Sequence, residues 1–96
     1  KPIKPRVVAR CLKNGGIELS WESPMAQLKN IDRYMIHFTT DNWVTLTQIC
    51  LHRDVHRYEI NHVQEGAVYR FRIFSFNKLD SVQSEPEELE LTFLAR

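Results

Sequence analysis

The stretch Gly66 to Asn77, GAVYRFRIFSFN, alternates with a period of two, so that Tyr69, Phe71, Ile73 and Ser75 project one way and Arg70, Arg72 and Phe74 the other. Such a run is stable only with one side in a core and the other in water, which makes it a strand of a half-buried sheet. The same alternation recurs along the chain. Val7, Ala9 and Cys11 oppose Val8 and Arg10; Ile17, Leu19 and Trp21 oppose Glu18 and Ser20; Tyr34, Ile36 and Phe38 oppose Met35 and His37. Residues 43–50 add a short run of Thr, Val, Leu and Ile, Tyr58 and Ile60 mark another strand, and Leu89, Leu91 and Phe93 alternate with Glu88, Glu90 and Thr92. Asn14-Gly15-Gly16, Pro24 and Asp41-Asn42 punctuate these runs, with loops over 25–33, 51–55 and 78–86. Residues 1–5 form an extended lead-in whose Pro5 guards the first edge. Seven short strands at this spacing, without helical periodicity, predict an all-β sandwich.

Ninety-six residues suit one such domain, read over 1–96, with a core that needs no metal or disulfide staple. A formal charge of +1 gives no strongly basic face, so nucleic acid is not an expected partner. No run of about 18 apolar residues is present, so membrane insertion is not expected, and the opening KPIKPR does not read as a signal peptide. Cys11 and Cys50 are too few for a disulfide framework and are expected as free thiols at distant edges of opposite sheets. None of Asn14, Asn30, Asn42, Asn61 and Asn77 opens an N-x-S/T acceptor. Both facts favour a reducing compartment.

Two motifs carry a family resemblance. V-Q-E-G-A-V-Y, Val63 to Tyr69, resembles the L-x-P-G-x-x-Y tyrosine corner of fibronectin type III domains, and I-x-L-S-W-x-S-P, Ile17 to Pro24, is similar to the segment that supplies their buried tryptophan. The resemblance covers essentially the whole chain. It implies a seven-stranded, immunoglobulin-like sandwich in which Trp21, Tyr34, Gly66 and Tyr69 are structural. Val63 and Glu65 replace the usual Leu and Pro of the corner. The 78–86 loop has no Arg-Gly-Asp, so integrin binding does not carry over, and SVQSEP at 81–86 lacks the two tryptophans of the cytokine-receptor W-S-x-W-S element.

No G-x-S-x-G elbow, H-E-x-x-H helix or glycine-rich phosphate loop occurs, so an enzyme is not expected and no cofactor is assigned. Cys50, His52 and His56 offer zinc-type ligands, but C-x-H-x3-H is not a usual paired spacing, and a polar loop after a strand-end thiol explains the same residues. Arg70, Arg72 and Phe74, with Met35 and His37 on the neighbouring strand and Trp43 at the edge, form the candidate partner-binding face. Arg and aromatics compose interface hot spots, and they equally compose a self-stacked ladder. The basic set His52, Arg53, His56, Arg57 and His62 and the acidic stripe Glu85, Glu87, Glu88 and Glu90 read as solvated surface.

The expected function is non-catalytic protein–protein recognition by one module of a larger chain with neighbouring domains. The first context is a cell-surface or extracellular adhesion or guidance receptor. The alternative is a nuclear or cytoplasmic co-repressor adaptor docking chromatin proteins, because K-P-R-V-V-A-R followed by G-G-I-E-L-S-W resembles the fibronectin type III domain of such scaffolds. A third possibility is a structural spacer.

Overall fold

A computed structural model describes residues 4–22, 31–77 and 81–94. The strands are β1 (Arg6–Cys11), β2 (Ile17–Glu22), β3 (Arg33–Thr39), β4 (Thr47–His52), β5 (Arg57–Ile60), β6 (Val68–Asn77), β7 (Val82–Gln83) and β8 (Glu87–Thr92). One sheet runs β1-β2-β5; the other runs β4-β3-β6, with β7 and β8 both pairing β6, and every described pairing is antiparallel. The expected sandwich is therefore present, with eight strands in place of seven. The additional strand is β7, inside the segment read as a loop from its Ser and Pro content. Ser84 explains it: its N–H donates to the Ser75 carbonyl, and its Oγ accepts from the Ser75 N–H at 3.0 Å, so two serines lock this segment onto β6.

The period-two pattern sorts the core as expected. Ile17, Leu19, Trp21, Tyr34, Ile36, Tyr69, Phe71, Ile73 and Phe93 are buried between the sheets. Trp21 meets Tyr34 edge-on at 5.7 Å, and Tyr69 stacks on Phe71 at 6.2 Å. The corner closes as the motif implies. Gly66 takes φ +80°, a conformation costly for any residue with a Cβ, and its N–H donates to the Phe93 carbonyl at 2.8 Å. The buried Tyr69 hydroxyl then accepts from the Gln64 N–H at 3.3 Å, which ties the β5–β6 connection to the core.

The 25–33 loop falls mostly outside the described residues, as does 78–80 of the 78–86 loop. The strand expected over 43–50 instead covers Thr47–His52, because the chain first makes a wide turn at 40–46. Both cysteines are free, Cys11 on β1 and Cys50 on β4, each strand at an edge of its own sheet.

Candidate functional site

The register of the larger sheet sets its outer face. His37 lies opposite Arg72, which lies opposite Glu88; Met35 lies opposite Phe74; Thr39 lies opposite Arg70, which lies opposite Glu90; and Arg33 lies opposite Phe76. These pairings bring the predicted residues Met35, His37, Arg70, Arg72 and Phe74 onto one surface, and Trp43 joins them from the 40–46 turn. The Arg72 guanidinium sits 4.1 Å from the Trp43 ring centroid while its Nε donates to Glu88 Oε1 at 3.1 Å. Arg70 pairs with Glu90 at 2.6 Å, and Arg33 lies 4.3 Å over the Phe76 ring. The acidic stripe thus largely serves the arginines of β6, and Glu87 pairs with Lys4.

One expectation is overturned here. Phe74 is not an exposed anchor: it is 8% exposed, covered by the His37 ring edge-on at 5.3 Å. Met35 and His37 are themselves half-buried. The imidazole is held below its ordinary pKa of 6.5, first by burial and second by Arg72, so the neutral ring is the one that covers Phe74. The centre of the face is thus a ring stack in which His37 Nε2 is buried without a hydrogen-bond partner, and the exposed apolar surface lies elsewhere.

That surface is the tip of the 40–46 turn, which sequence reasoning missed. Val44 is 82% exposed and Leu46 50%, next to the stacked Trp43. Asn42 and Trp43 both take positive φ, 57° and 70°, in the left-handed region that non-glycine residues avoid. A side-chain clamp holds them there. The buried Thr39 Oγ1 accepts from the N–H groups of Asp41 and Trp43, both at 3.2 Å, and its hydroxyl lies within donating distance of Asp41 Oδ1 and the Thr45 carbonyl. Asp41 in turn accepts from the Thr45 N–H at 2.9 Å and the Thr45 hydroxyl at 2.6 Å. An Asp flanked by Thr two residues before and four after was the available signal, since Asp and Thr side chains bond local backbone in turns.

The Thr45 hydroxyl, then the Thr45 N–H and the Thr39 hydroxyl, lower the Asp41 pKa from 3.8 to about 2. A carboxylate with a depressed folded-state pKa stabilises fully above its unfolded value and loses that contribution as pH falls to the folded one. The turn therefore holds its geometry above pH 3.8 and loosens between there and about pH 2. Trp43 fluorescence followed through this range shifts in wild type and stays flat across it in Asp41→Asn.

The residues weighed for zinc do not converge. His52 faces Asp54 at 3.3 Å, His56 lies edge-on to Tyr34, and among the described residues no three His, Cys, Asp or Glu side chains gather into a group able to hold a metal ion.

No protein-family model and no curated protein matches the sequence. Solved structures do. The FN1–FN3 domains of chicken CNTN1 superpose with a TM-score of 0.78 at 13% identity, over 100% of this chain and 32% of that one. The FN3 domain of human collagen XX gives 0.76 at 16% identity, covering 97% and 92% of the two chains. A two-domain fibronectin type III segment from chicken tenascin gives 0.79 at 16% identity, over 97% of this chain and 50% of that one.

The chain has the fibronectin type III fold.

Within that fold the present sandwich keeps the tyrosine corner and the buried tryptophan. The chain spans about a third of the CNTN1 fragment and half of the tenascin one, each of which holds more than one fibronectin type III domain.

Proposed function

We propose that this fibronectin type III sandwich is a non-catalytic protein-recognition module, docking its partner through the 40–46 turn and the adjoining Trp43–Arg72–Arg70 strip. The observation that carries the reading is a rigid apolar tip. Val44 and Leu46 stand in solvent on a turn whose backbone is strained and clamped by Thr39 and Asp41. Exposed apolar side chains on a preorganised loop lose little entropy on binding, and the Arg–Trp stack supplies the residue types common in hot spots. Of the predicted anchors, His37 lies opposite Arg72 and covers Phe74, and Met35 lies opposite Phe74 beside this strip.

The context we favour is a cell-surface or extracellular chain with several such domains, in keeping with the adhesion-type proteins whose domains share the fold. The exposed thiol of Cys50 favours the second reading, an adaptor in the reducing nucleus or cytoplasm.

A photoreactive residue at position 44 of the full-length protein identifies the partner, and Val44→Asp with Leu46→Asp then tests it. Binding drops at least about tenfold, in proportion to the loss of two apolar contacts of an interface core. The melting temperature of the isolated domain stays within about 4 °C of wild type, as expected for surface changes. Undiminished binding by the double variant rejects the turn as the site, and a spacer role then stands in its place.

A further inference from the structure

We propose that the domain self-associates through the free edge of β4, two copies pairing antiparallel about a twofold axis at Cys50. Sheet edges are templates for added strands, and natural domains blunt them with proline, charge or short length. Three of the described edges are blunted in this way. β1 follows Pro5 and carries Arg6 and Arg10; β5 has four residues, with Arg57 and Glu59; β8 carries Glu87, Glu88 and Glu90. β4 is TQICLH, without proline, glycine, lysine, arginine or carboxylate, and among the described residues it pairs only with β3.

The occupant follows from what the strand can face. Residues opposite each other in an antiparallel pair share a sheet face, so a twofold axis must pass through a residue position for the inner side chains to meet inner side chains. On β8 such an axis at Leu89 sets Glu88 against Glu90, and on β1 an axis at Val8 sets Arg6 against Arg10. On β4 an axis at Cys50 sets Ile49 against Leu51, Gln48 against His52 and Cys50 against itself. Ile49 and Leu51 are half-buried at the rim of the core, and the pairing covers each with the other. Gln48 and His52, both exposed, meet as an amide and an imidazole that hydrogen-bond in either protonation state. An axis at Ile49 instead sets Thr47 against Leu51 and His52 against Leu46, which precedes the strand. No like charges meet on β4, and a second copy of this chain is the partner whose chemistry the strand already matches.

Sedimentation velocity of the isolated domain, in reducing buffer from micromolar to millimolar concentration, measures the monomer–dimer equilibrium. Wild type dimerises reversibly. Cys50→Lys and Cys50→Glu, both at an exposed edge position and both retaining the wild-type melting temperature, each weaken the dimer about fivefold by placing like charges opposite each other. Mixing the two variants restores wild-type affinity or better, because only a self-facing residue 50 brings Lys and Glu together. The proposal is overturned by a wild type that stays monomeric throughout, as it would if the edge receives a strand of another protein. It is equally overturned by variants that associate as tightly as wild type, or by a mixture no tighter than its components.

Discussion

Phe71→Ala lowers the unfolding free energy by about 3–5 kcal/mol, the range for truncating a buried aromatic whose site cannot fully collapse. Phe71 is 1% exposed and packs against Tyr69 at 6.2 Å and Phe38 at 6.1 Å, so the cavity opens inside an aromatic cluster formed by β3 and β6. Domains of this size hold about 5–15 kcal/mol in all, so the variant keeps a fraction of its margin or none. Urea unfolding followed by far-ultraviolet circular dichroism measures it: the midpoint falls sharply while the slope is unchanged. A loss below about 1.5 kcal/mol would mean that Phe71 is not packed as described, since that is the usual ceiling for volume-conserving changes. Phe76→Ala, removing a ring half-exposed beneath Arg33, is the matched comparison and costs less.

Thr39→Val acts on the proposed binding tip without touching it. The substitution conserves shape and removes the hydroxyl that accepts from the Asp41 and Trp43 N–H groups and bonds Asp41 Oδ1 or the Thr45 carbonyl. Leaving partly buried donors without an acceptor costs about 1–3 kcal/mol, and in a domain of this length each kcal/mol moves the melting temperature by roughly 4–8 °C. The larger consequence is conformational. Asn42 and Trp43 lose the contacts that hold them at positive φ, so Trp43 leaves Arg72 and its emission moves toward that of a free indole. Partner binding weakens although Val44 and Leu46 are unaltered. A variant that lost stability but kept both the Trp43 signal and full binding would show that the clamp is structural only.

The sequence carried the strands because burial imposes its own period: Tyr69, Phe71 and Ile73 alternate with Arg70 and Arg72 as the sheet requires. It did not reveal which outward residues are wet. Phe74 lies on the outer side by period, yet its burial depends on His37 across β3, and nothing local to Phe74 encodes that cover. A strand start at Trp43 is what an aromatic followed by Val and Thr favours, whereas two successive left-handed residues turn it back over Arg72. β7 is invisible for a similar reason, being held by the Ser84 side chain and backbone on the Ser75 backbone rather than by apolar alternation. The ion pairs of Glu88 and Glu90 depended on register, which single-strand patterns do not fix.

The positions of β1 and β8 have a mechanical consequence. Lys4 lies against Glu87 at the start of β8, and Cys11 borders the same hollow as Thr92 at its end, so the two strands run side by side in one direction on opposite sheets. Lys4 and Phe93 therefore lie toward opposite poles of a body 40 Å long. Ladder hydrogen bonds stand perpendicular to their strands, so tension between those poles slides β1 along β2 and β8 along β6 instead of peeling them apart. Six register pairs in each ladder then bear the load together, with the Arg70–Glu90 and Arg72–Glu88 bridges spanning the second plane of sliding. A domain built this way works as a stiff link under stretch and yields by abrupt rupture, not by gradual extension.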